Sequence, residues 1–185
     1  MNPEDPNRHP TSESVAEHRA AALDTVRCAI LTVSDTRTEA TDKSGTLIKE
    51  LLRAANHPVV AYRIVPDEPD QIAPLLREWA ADPEVQVIIS NGGTGIAARD
   101  TTYDVVAGLI EKRLDGFGEL FRMLSWDEVG AAAMLSRAVA GVFDRTVIFT
   151  LPGSSNAVRL AIEKLILPEM AHVVYEITKQ EKTRN

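Results

Sequence analysis

The sequence contains one cysteine, Cys28, among its 185 residues. A single cysteine excludes an internal disulfide framework and a cysteine metal site, so we expect a protein of the reducing cytoplasm. Cys28 lies within the apolar run VRCAILTV, which predicts a buried and chemically inert thiol rather than a nucleophile.

Long apolar runs are also missing. No stretch approaches the roughly 20 apolar residues that a membrane helix needs, so we expect no membrane association. The first 25 residues are polar, contain three prolines and lack the apolar segment of a signal peptide. We therefore interpret residues 1–25 as a flexible arm, residues 26–178 as one domain, and residues 179–185 as a short tail.

Positive charge is scarce, since 20 Lys and Arg residues against 27 Asp and Glu residues give a net charge of −7. This balance argues against a nucleic-acid partner. A small anionic ligand is still compatible with it, because a few backbone amides and one arginine can hold a phosphate locally. The four histidines, at positions 9, 18, 57 and 172, show no metal-ligand spacing.

Common catalytic motifs are absent or incomplete. The sequence has neither a P-loop G-x-x-x-x-G-K-[S/T] nor a serine-hydrolase G-x-S-x-G. GTGIAA, residues 93–98, matches the dinucleotide pattern G-x-G-x-x-A, but it follows the third predicted strand instead of the first. The acidic residue expected about 20 positions further on is Asp115, which does not end a strand. A nicotinamide-dependent enzyme that uses this loop is thus a distant alternative.

Strand and helix patterns alternate along the domain. Runs of β-branched and aliphatic residues predict strands over 27–34, 57–66 and 85–90, and apolar residues at helical spacing follow each of them. Prolines at both ends of the second run place that strand near a sheet edge, while the third is expected at the centre. We expect a mostly parallel sheet with helices on both faces.

The last part of the domain departs from the parallel pattern. Residues 136–153 predict two strands around a turn at Phe143 and Asp144, so one part of the sheet is expected to be antiparallel. A helix from about Ser154 follows, and Pro168 is expected to kink or interrupt it because proline lacks a backbone N–H.

Small and polar residues follow three of the predicted strands, in the loops SDTRTEATDKSG, NGGTGIAARDTT and TLPGSS. Ligands of open α/β sheets bind at the carboxyl ends of the strands, so we expect these loops to meet in one anion-binding cradle. Asp35 and Asp100 start no predicted helix and are interpreted as functional carboxylates. Mg²⁺ prefers oxygen ligands and usually binds substrate phosphates at the same time, so these two carboxylates could bind it.

Several residues of these loops also fit structural roles. Asp42 or Ser44 fits the cap of the first helix, and Ser154 or the following serine fits the cap of the last one. Thr101 with Asp104 has the spacing of a capping box. These alternatives stay open at the level of sequence.

Five stretches in this order resemble a known family: LTVSD, GGTG followed by RD and a threonine, GFGELFRMLSWDEVG, LSRAVAGV and LPGS. They resemble the MogA/MoaB type of molybdenum cofactor biosynthesis proteins, whose domain also occurs in gephyrin. The resemblance covers residues 26–178. It implies a three-layer α/β/α sandwich with a mostly parallel sheet and a partly antiparallel edge. It also implies a protein that binds molybdopterin and assembles as a homotrimer or hexamer. A partner that inserts molybdate is compatible with this resemblance.

Catalytic members of this family adenylate molybdopterin with ATP and Mg²⁺ and release pyrophosphate, so the resemblance implies the same reaction here. It implies Asp35 and Asp100 as catalytic and Mg²⁺-binding residues. The implied substrate-binding residues are Ser34, Asp42, Ser44, Gly92, Gly93, Thr94, Gly95, Ser136, Gly153, Ser154 and Asn156. A catalytically silent molybdopterin carrier or scaffold is the main alternative. Where relatives often carry R-D-x-T-P-E, this chain has RDTTYD, so Tyr103 and Asp104 replace a proline and a glutamate.

Overall fold

The structure is a computed structural model that describes residues 23–182. The strands are β1 (Cys28–Val33), β2 (Val59–Val65), β3 (Val87–Asn91), β4 (Lys112–Arg113), β5 (Val139–Phe143) and β6 (Thr146–Leu151). The helices are α1 (Lys43–Ala54), α2 (Pro69–Ala81), α3 (Thr102–Leu109), α4 (Asp115–Val129), α5 (Ser155–Ala161) and α6 (Leu167–Lys182). A 3₁₀ helix (Gly130–Leu135) follows α4, and a π-helical turn (Ile162–Ile166) joins α5 to α6. Most of the expected arm lies outside the described residues, and α6 extends into the expected tail.

The described strands form one mixed sheet of six strands in the order β2-β1-β3-β6-β5-β4. Strands β2, β1, β3 and β6 are parallel, and β5 runs antiparallel to both of its neighbours. The edge position of β2 and the central position of β3 confirm the sequence predictions. The turn between β5 and β6 is also confirmed, and Asp144 adopts a left-handed backbone conformation there (φ 56°).

Both edges of the sheet are interrupted or short. On β2, the register shifts between Cys28 and Ala29, which pair with Val59 and Ala61, so Val60 has no partner in the ladder. On the opposite edge, β4 consists of two exposed basic residues.

Apolar side chains fill both faces of the sheet. One face packs against α1, α4, α5 and α6, and the other packs against α2 and α3. Side chains alternate between the two faces along β3. Ile89 faces α1, α4, α5 and α6, Ile88 faces α2 and α3, and both have 0% exposure. Burying one such side chain contributes about 1.5–3 kcal/mol. The edge-to-face contact of Phe117 and Phe149, with ring centroids 5.2 Å apart, ties α4 to the sheet.

Two local predictions are confirmed in this core. Cys28 is fully buried, and burial raises the pKa of its thiol to about 12, as expected for an inert cysteine. The predicted interruption near Pro168 takes the form of the π-helical turn just before α6. Because proline has no N–H, the regular helical ladder cannot run through this position, and a π turn accommodates the break.

Candidate functional site

The ends of three parallel strands meet at Gly92. Its N–H donates to the carbonyl of Leu151 at 3.0 Å, which joins the loop after β3 to the end of β6. A Cβ on Gly92 would collide with the carbonyl of Val33 at the end of β1, and a Cβ on Gly153 would lie 3.2 Å from the Gly92 Cα. Gly92 also has a φ of +95°, a conformation that glycine adopts at little cost. The loops after β1, β3 and β6 therefore come together, as the sequence predicts.

Asp67, two residues after the end of β2, adds a fourth strand end to this cradle. Its Oδ1 accepts hydrogen bonds from Thr101 N (3.2 Å), Thr101 Oγ1 (2.8 Å) and Thr102 Oγ1 (3.1 Å). The residue is 6% exposed, and a Cβ on Gly93 would collide with its Oδ2. Asp67 thus fixes both the glycine loop and the start of α3.

The predicted capping box of α3 is wrong. Thr101 occupies the N-cap position, but its backbone is α-helical (φ −109°, ψ −17°) and its side chain makes no capping hydrogen bond; its hydroxyl donates to Asp67. Asp104 is drawn away by Arg137, whose Nη2 donates to Asp104 Oδ1 at 2.6 Å. Contacts with a distant carboxylate, Asp67, and a distant guanidinium, Arg137, replace the local pairing that the spacing predicted.

Asp35 is held in an ion pair at the mouth of the cradle. Arg99 donates from Nε to Asp35 Oδ2 (3.1 Å) and from Nη2 to Oδ1 (3.0 Å), and its Nη1 donates to Glu68 Oε1 at 2.6 Å. The amide of Asp67 also donates to Asp35 Oδ1 at 3.1 Å. The hydrogen bonds from Arg99, and then that from Asp67, lower the pKa of Asp35, so the carboxylate is charged at neutral pH.

Asp100 closes a tight turn inside the glycine loop. Its Oδ2 accepts a hydrogen bond from Ala97 N at 3.0 Å, and its own N–H donates to the Ala97 carbonyl at 2.9 Å. A Cβ on Gly95 would lie 2.5 Å from Asp100 Oδ2, so a side chain at this position would displace the carboxylate. Within residues 23–182, Asp100 Oδ1 has no hydrogen-bond partner.

Asp42 serves as the buried cap of α1. It accepts hydrogen bonds from Thr32 Oγ1 (2.6 Å), Tyr62 OH (2.6 Å), Ser44 Oγ (3.0 Å) and Gly45 N (2.9 Å). Burial by itself would raise the pKa of Asp42, but these four hydrogen bonds together lower it. The capping alternative for Asp42 is confirmed, and Ser44 supports the cap. In this conformation, the side-chain oxygens of Asp42 and Ser44 are engaged in hydrogen bonds within the protein.

The remaining predicted residues lie around the same end of the sheet. Ser34 Oγ accepts from the amides of Thr36 (3.3 Å) and Arg37 (3.2 Å), which shapes the loop after β1. Ser154 is confirmed as the cap of α5, since its Oγ accepts from Ala157 N at 3.2 Å. Asn156 is exposed in the first turn of that helix.

Thr94 and Ser136 are the least defined of the predicted residues. Thr94 is buried within the glycine loop, with 5% exposure. Ser136 precedes β5 and donates its amide to the Ala133 carbonyl at 3.0 Å. The next residue, Arg137, reaches the loop, with Nη1 donating to the Gly95 carbonyl at 2.9 Å.

Asp67, Arg99 and Arg137 are the residues that the sequence analysis missed. The signal for Asp67 was available, because it follows the second predicted strand immediately and the end of that strand lies at the same edge as the others. Arg99 and Arg137 stand in the stretches RD and LSRAVAGV that carry the family resemblance, but no local pattern indicated their contacts, since their partners are distant along the chain.

A cleft of about 530 Å³ opens beside Asp35, between the loop after β1 and strand β2. Its volume is in the range of small-molecule sites. Within residues 23–182, no group of three or more His, Cys, Asp or Glu side chains is arranged to hold a metal ion by itself. Single carboxylates such as Asp35 and Asp100 still fit Mg²⁺, because this ion commonly uses one or two carboxylates together with substrate phosphates.

Residues 29–172 match the sequence model of a family described as "Probable molybdopterin binding domain". The chain belongs to this family. The MogA/MoaB resemblance of the sequence is thereby confirmed, and so is the α/β fold with its mixed sheet that the resemblance implied. The nicotinamide alternative has no support at the site, since Asp115 pairs with Arg113 (3.2 Å) at the start of α4.

Relatives in this molybdopterin-binding family match almost along their full length. The molybdenum cofactor biosynthesis protein B of Halalkalibacterium halodurans is 54% identical over 167 residues, covering 90% of this chain and 98% of that protein. A crystal structure of a molybdenum cofactor biosynthesis protein B is 52% identical, with a TM-score of 0.82, and covers 84% of this chain and 98% of its own. The tungsten cofactor synthesizing protein MoaB of Pyrococcus furiosus is 39% identical, with a TM-score of 0.76, over 84% of this chain and 99% of its own. In the described part of this chain, no helix has both the length and the apolar character needed to span a membrane.

Proposed function

We propose that this chain binds molybdopterin in the cradle around Gly92 and adenylates it with ATP and Mg²⁺. The observation that carries the proposal is the meeting of the loops after β1, β3 and β6 at Gly92, with Asp35 and Asp100 on two of those loops. The names of the relatives support a role in molybdenum cofactor biosynthesis. The adenylated pterin would then pass to a partner that inserts molybdate.

The charge of the cradle supports the proposed role of a divalent cation. Asp35, Asp67, Glu68 and Asp100 supply four carboxylates, while Arg99 is the cation that contacts two of them. Two polyanionic substrates cannot approach each other in such a place without neutralisation. Mg²⁺, held by Asp100 with Asp35 and by the ATP phosphates, would supply the charge that offsets this repulsion.

The backbone of the glycine loop would hold the nucleotide phosphates. Gly92 and Gly93 adopt φ values of +95° and +63°, and a turn with such residues can aim successive backbone amides at an anion. We propose that the loop of Gly153, Ser154 and Asn156 receives the pterin phosphate, because Gly153 lies against Gly92. The reacting atoms would then be bound by adjoining loops, and such positioning is the main contribution of a protein to phosphoryl transfer.

The reaction needs no general base from this chain. One oxygen of the terminal phosphate of molybdopterin forms a bond with the α-phosphorus of ATP, and the bond from that phosphorus to the β-phosphate oxygen breaks, so that pyrophosphate leaves. The attacking phosphate is already ionised at neutral pH. The carboxylates of the cradle therefore hold and orient, and no proton has to move at them.

The direct test incubates purified protein with molybdopterin, ATP and Mg²⁺ and measures pyrophosphate and the adenylated pterin. We expect Asp100→Asn to lower the rate roughly a hundredfold, since a charge-stabilising group is lost. Asp144→Asn, the same change in the exposed turn at the opposite end of β6, should leave the rate unchanged. Wild-type turnover by folded Asp100→Asn would contradict the role of Asp100.

A carrier that binds molybdopterin without reacting is the second candidate. It is favoured by one observation: Asp35 and Asp100 are both engaged in contacts within the protein, with Arg99 and with the Ala97 amide. Equilibrium binding of molybdopterin with no pyrophosphate release under any Mg²⁺ concentration would identify this carrier.

We also propose that the chain forms a homotrimer or hexamer through the surface of α4 and the 3₁₀ helix. Large apolar side chains are exposed there: Leu120, Met123, Trp126, Val129, Met134 and Leu135. Apolar patches of this kind mark interaction surfaces. Light scattering after size exclusion should give a trimer or hexamer mass for the wild type and a smaller mass for Trp126→Glu. Val60→Glu, on the edge strand β2, is the control and should keep the wild-type mass.

A further inference from the structure

Arg137 makes three contacts at the side of the glycine loop. Its Nη1 donates to the Gly95 carbonyl at 2.9 Å, and its Nη2 donates to Asp104 Oδ1 at 2.6 Å. Its guanidinium carbon lies 4.2 Å from the centroid of the Tyr103 ring. The side chain is 25% exposed, so it is mostly enclosed by these partners. A planar guanidinium can serve all three at once, whereas the single ammonium of lysine cannot.

The Gly95 carbonyl is directly linked to the position of Asp100. Gly95 packs so closely on the Asp100 carboxylate that a Cβ would lie 2.5 Å from Oδ2. The same Oδ2 accepts the Ala97 amide at 3.0 Å. Residues 95–100 therefore form one compact turn, and fixing the Gly95 carbonyl also fixes where the Asp100 carboxylate sits.

Tyr103 and Asp104, in the first turn of α3, both support Arg137. A proline at 103 would offer neither an aromatic face nor a hydroxyl. Here the ring packs on Arg137. Tyr103 and Asp104 thus belong to one set of contacts centred on Arg137.

We propose that Arg137 is a positioning residue: supported by Tyr103 and Asp104, it holds the Gly95 carbonyl and so keeps the Asp100 carboxylate in place in the cradle. Arg137 does not touch the substrates in this proposal. Its effect on catalysis rests on the proposed adenylyl transfer, but its effect on the loop concerns the free protein and is measured without any ligand.

The first experiment follows hydrogen exchange in the free protein by mass spectrometry, in peptides that contain residues 95–100. In Arg137→Gln we expect the Ala97 and Asp100 amides to exchange roughly tenfold faster, because charge-assisted contacts that restrain the turn are lost. Arg159→Gln is the matched control, since Arg159 is an exposed helical arginine paired with Glu163 at 3.0 Å. Equal exchange in the two variants would overturn the proposal, whatever the activity of the protein.

The second experiment measures adenylation kinetics. We expect Arg137→Gln to lower kcat between roughly tenfold and a hundredfold, as small displacements of reacting groups do. The KM for ATP should stay within about twofold, because no substrate contact is removed. Arg137→Lys keeps the charge but not the fork of donors, so its kcat should fall with that of Arg137→Gln. A wild-type kcat for Arg137→Lys would overturn the positioning role.

The outcomes separate the two proposals. If wild-type protein releases no pyrophosphate, the proposed function fails, and the exchange experiment still decides whether Arg137 restrains the turn. If Arg137→Gln does not fold, Asp104→Asn takes its place in both assays, since it removes the ion pair and leaves the contact with Gly95. A smaller change in the same direction is expected for Asp104→Asn, and no change would overturn the proposal.

Discussion

Replacing Asp67 tests whether one buried carboxylate holds the start of α3 to the edge of the sheet. In Asp67→Ala the hydroxyl of the partly exposed Thr101 can turn toward water, but the Thr101 amide and the fully buried Thr102 hydroxyl lose their acceptor. An unpaired buried amide costs about 1–3 kcal/mol, and each hydrogen bond to a charged group contributes about 1.5–3 kcal/mol. The three bonds share the single oxygen Oδ1, so their energies do not add. We expect Asp67→Ala to lower the free energy of unfolding by about 2–4 kcal/mol.

Asp67→Asn is the matched variant, because its side-chain oxygen can still accept from the Thr101 amide and only the charge is lost. We expect it to cost about 1 kcal/mol. Urea unfolding followed by circular dichroism at a fixed protein concentration gives the free energy of unfolding for all three proteins. The reasoning is refuted if Asp67→Ala stays within about 0.5 kcal/mol of the wild type, the usual range for surface substitutions. It is equally refuted if the asparagine variant costs as much as the alanine variant.

Gly92→Ala should lower the free energy of unfolding by about 2 kcal/mol or more, because a Cβ would collide with the Val33 carbonyl of β1 and the backbone has a φ of +95°. Gly116→Ala is the control and should be neutral or slightly stabilising, because nothing lies within 4 Å of its added Cβ. Thermal unfolding of the two variants compares them. Burial lowers the pKa of His57 from its ordinary 6.5, and its Nδ1 accepts the Val26 amide at 3.0 Å, so the native ring is neutral. The unfolded chain then binds more protons, and the free energy of unfolding should fall as the pH drops below 6.5, a slope that urea titrations should find reduced in His57→Gln. Native Cys28 should resist a thiol reagent at neutral pH and react once urea unfolds the chain, and rapid native labelling would contradict its burial.

The sheet could be predicted because its signals are local. Pro58 and Pro66 flank β2, and a strand between two prolines is confined to an edge, which is where β2 lies. The continuous apolar run of β3 predicted a strand covered on both faces, and β3 is the third of six strands in the sheet order. The meeting of the loops at Gly92 followed from these strand positions alone.

The hydrogen-bond partners within the cradle could not be predicted, since they are set by tertiary contacts. Arg99 is 64 residues from Asp35, and Thr101 is 34 residues from Asp67. The capping box at Thr101 failed for this reason: the spacing was right, but the Thr101 hydroxyl is directed to Asp67, in the loop after β2, and Asp104 is paired with Arg137. A hydrophobic periodicity or a short motif does not indicate which distant carboxylate will contact that segment in the folded protein.

The two edges of the sheet limit how copies of this chain can associate. Val60 is skipped in the ladder of β2, and a kinked edge offers an incoming strand no continuous row of amides and carbonyls. The other edge, Lys112–Arg113, is too short to template a partner, and its charges would repel a copy of itself. Fibre-like growth by strand addition is therefore blocked from both directions, which leaves helical surfaces as the route by which this fold can form closed assemblies.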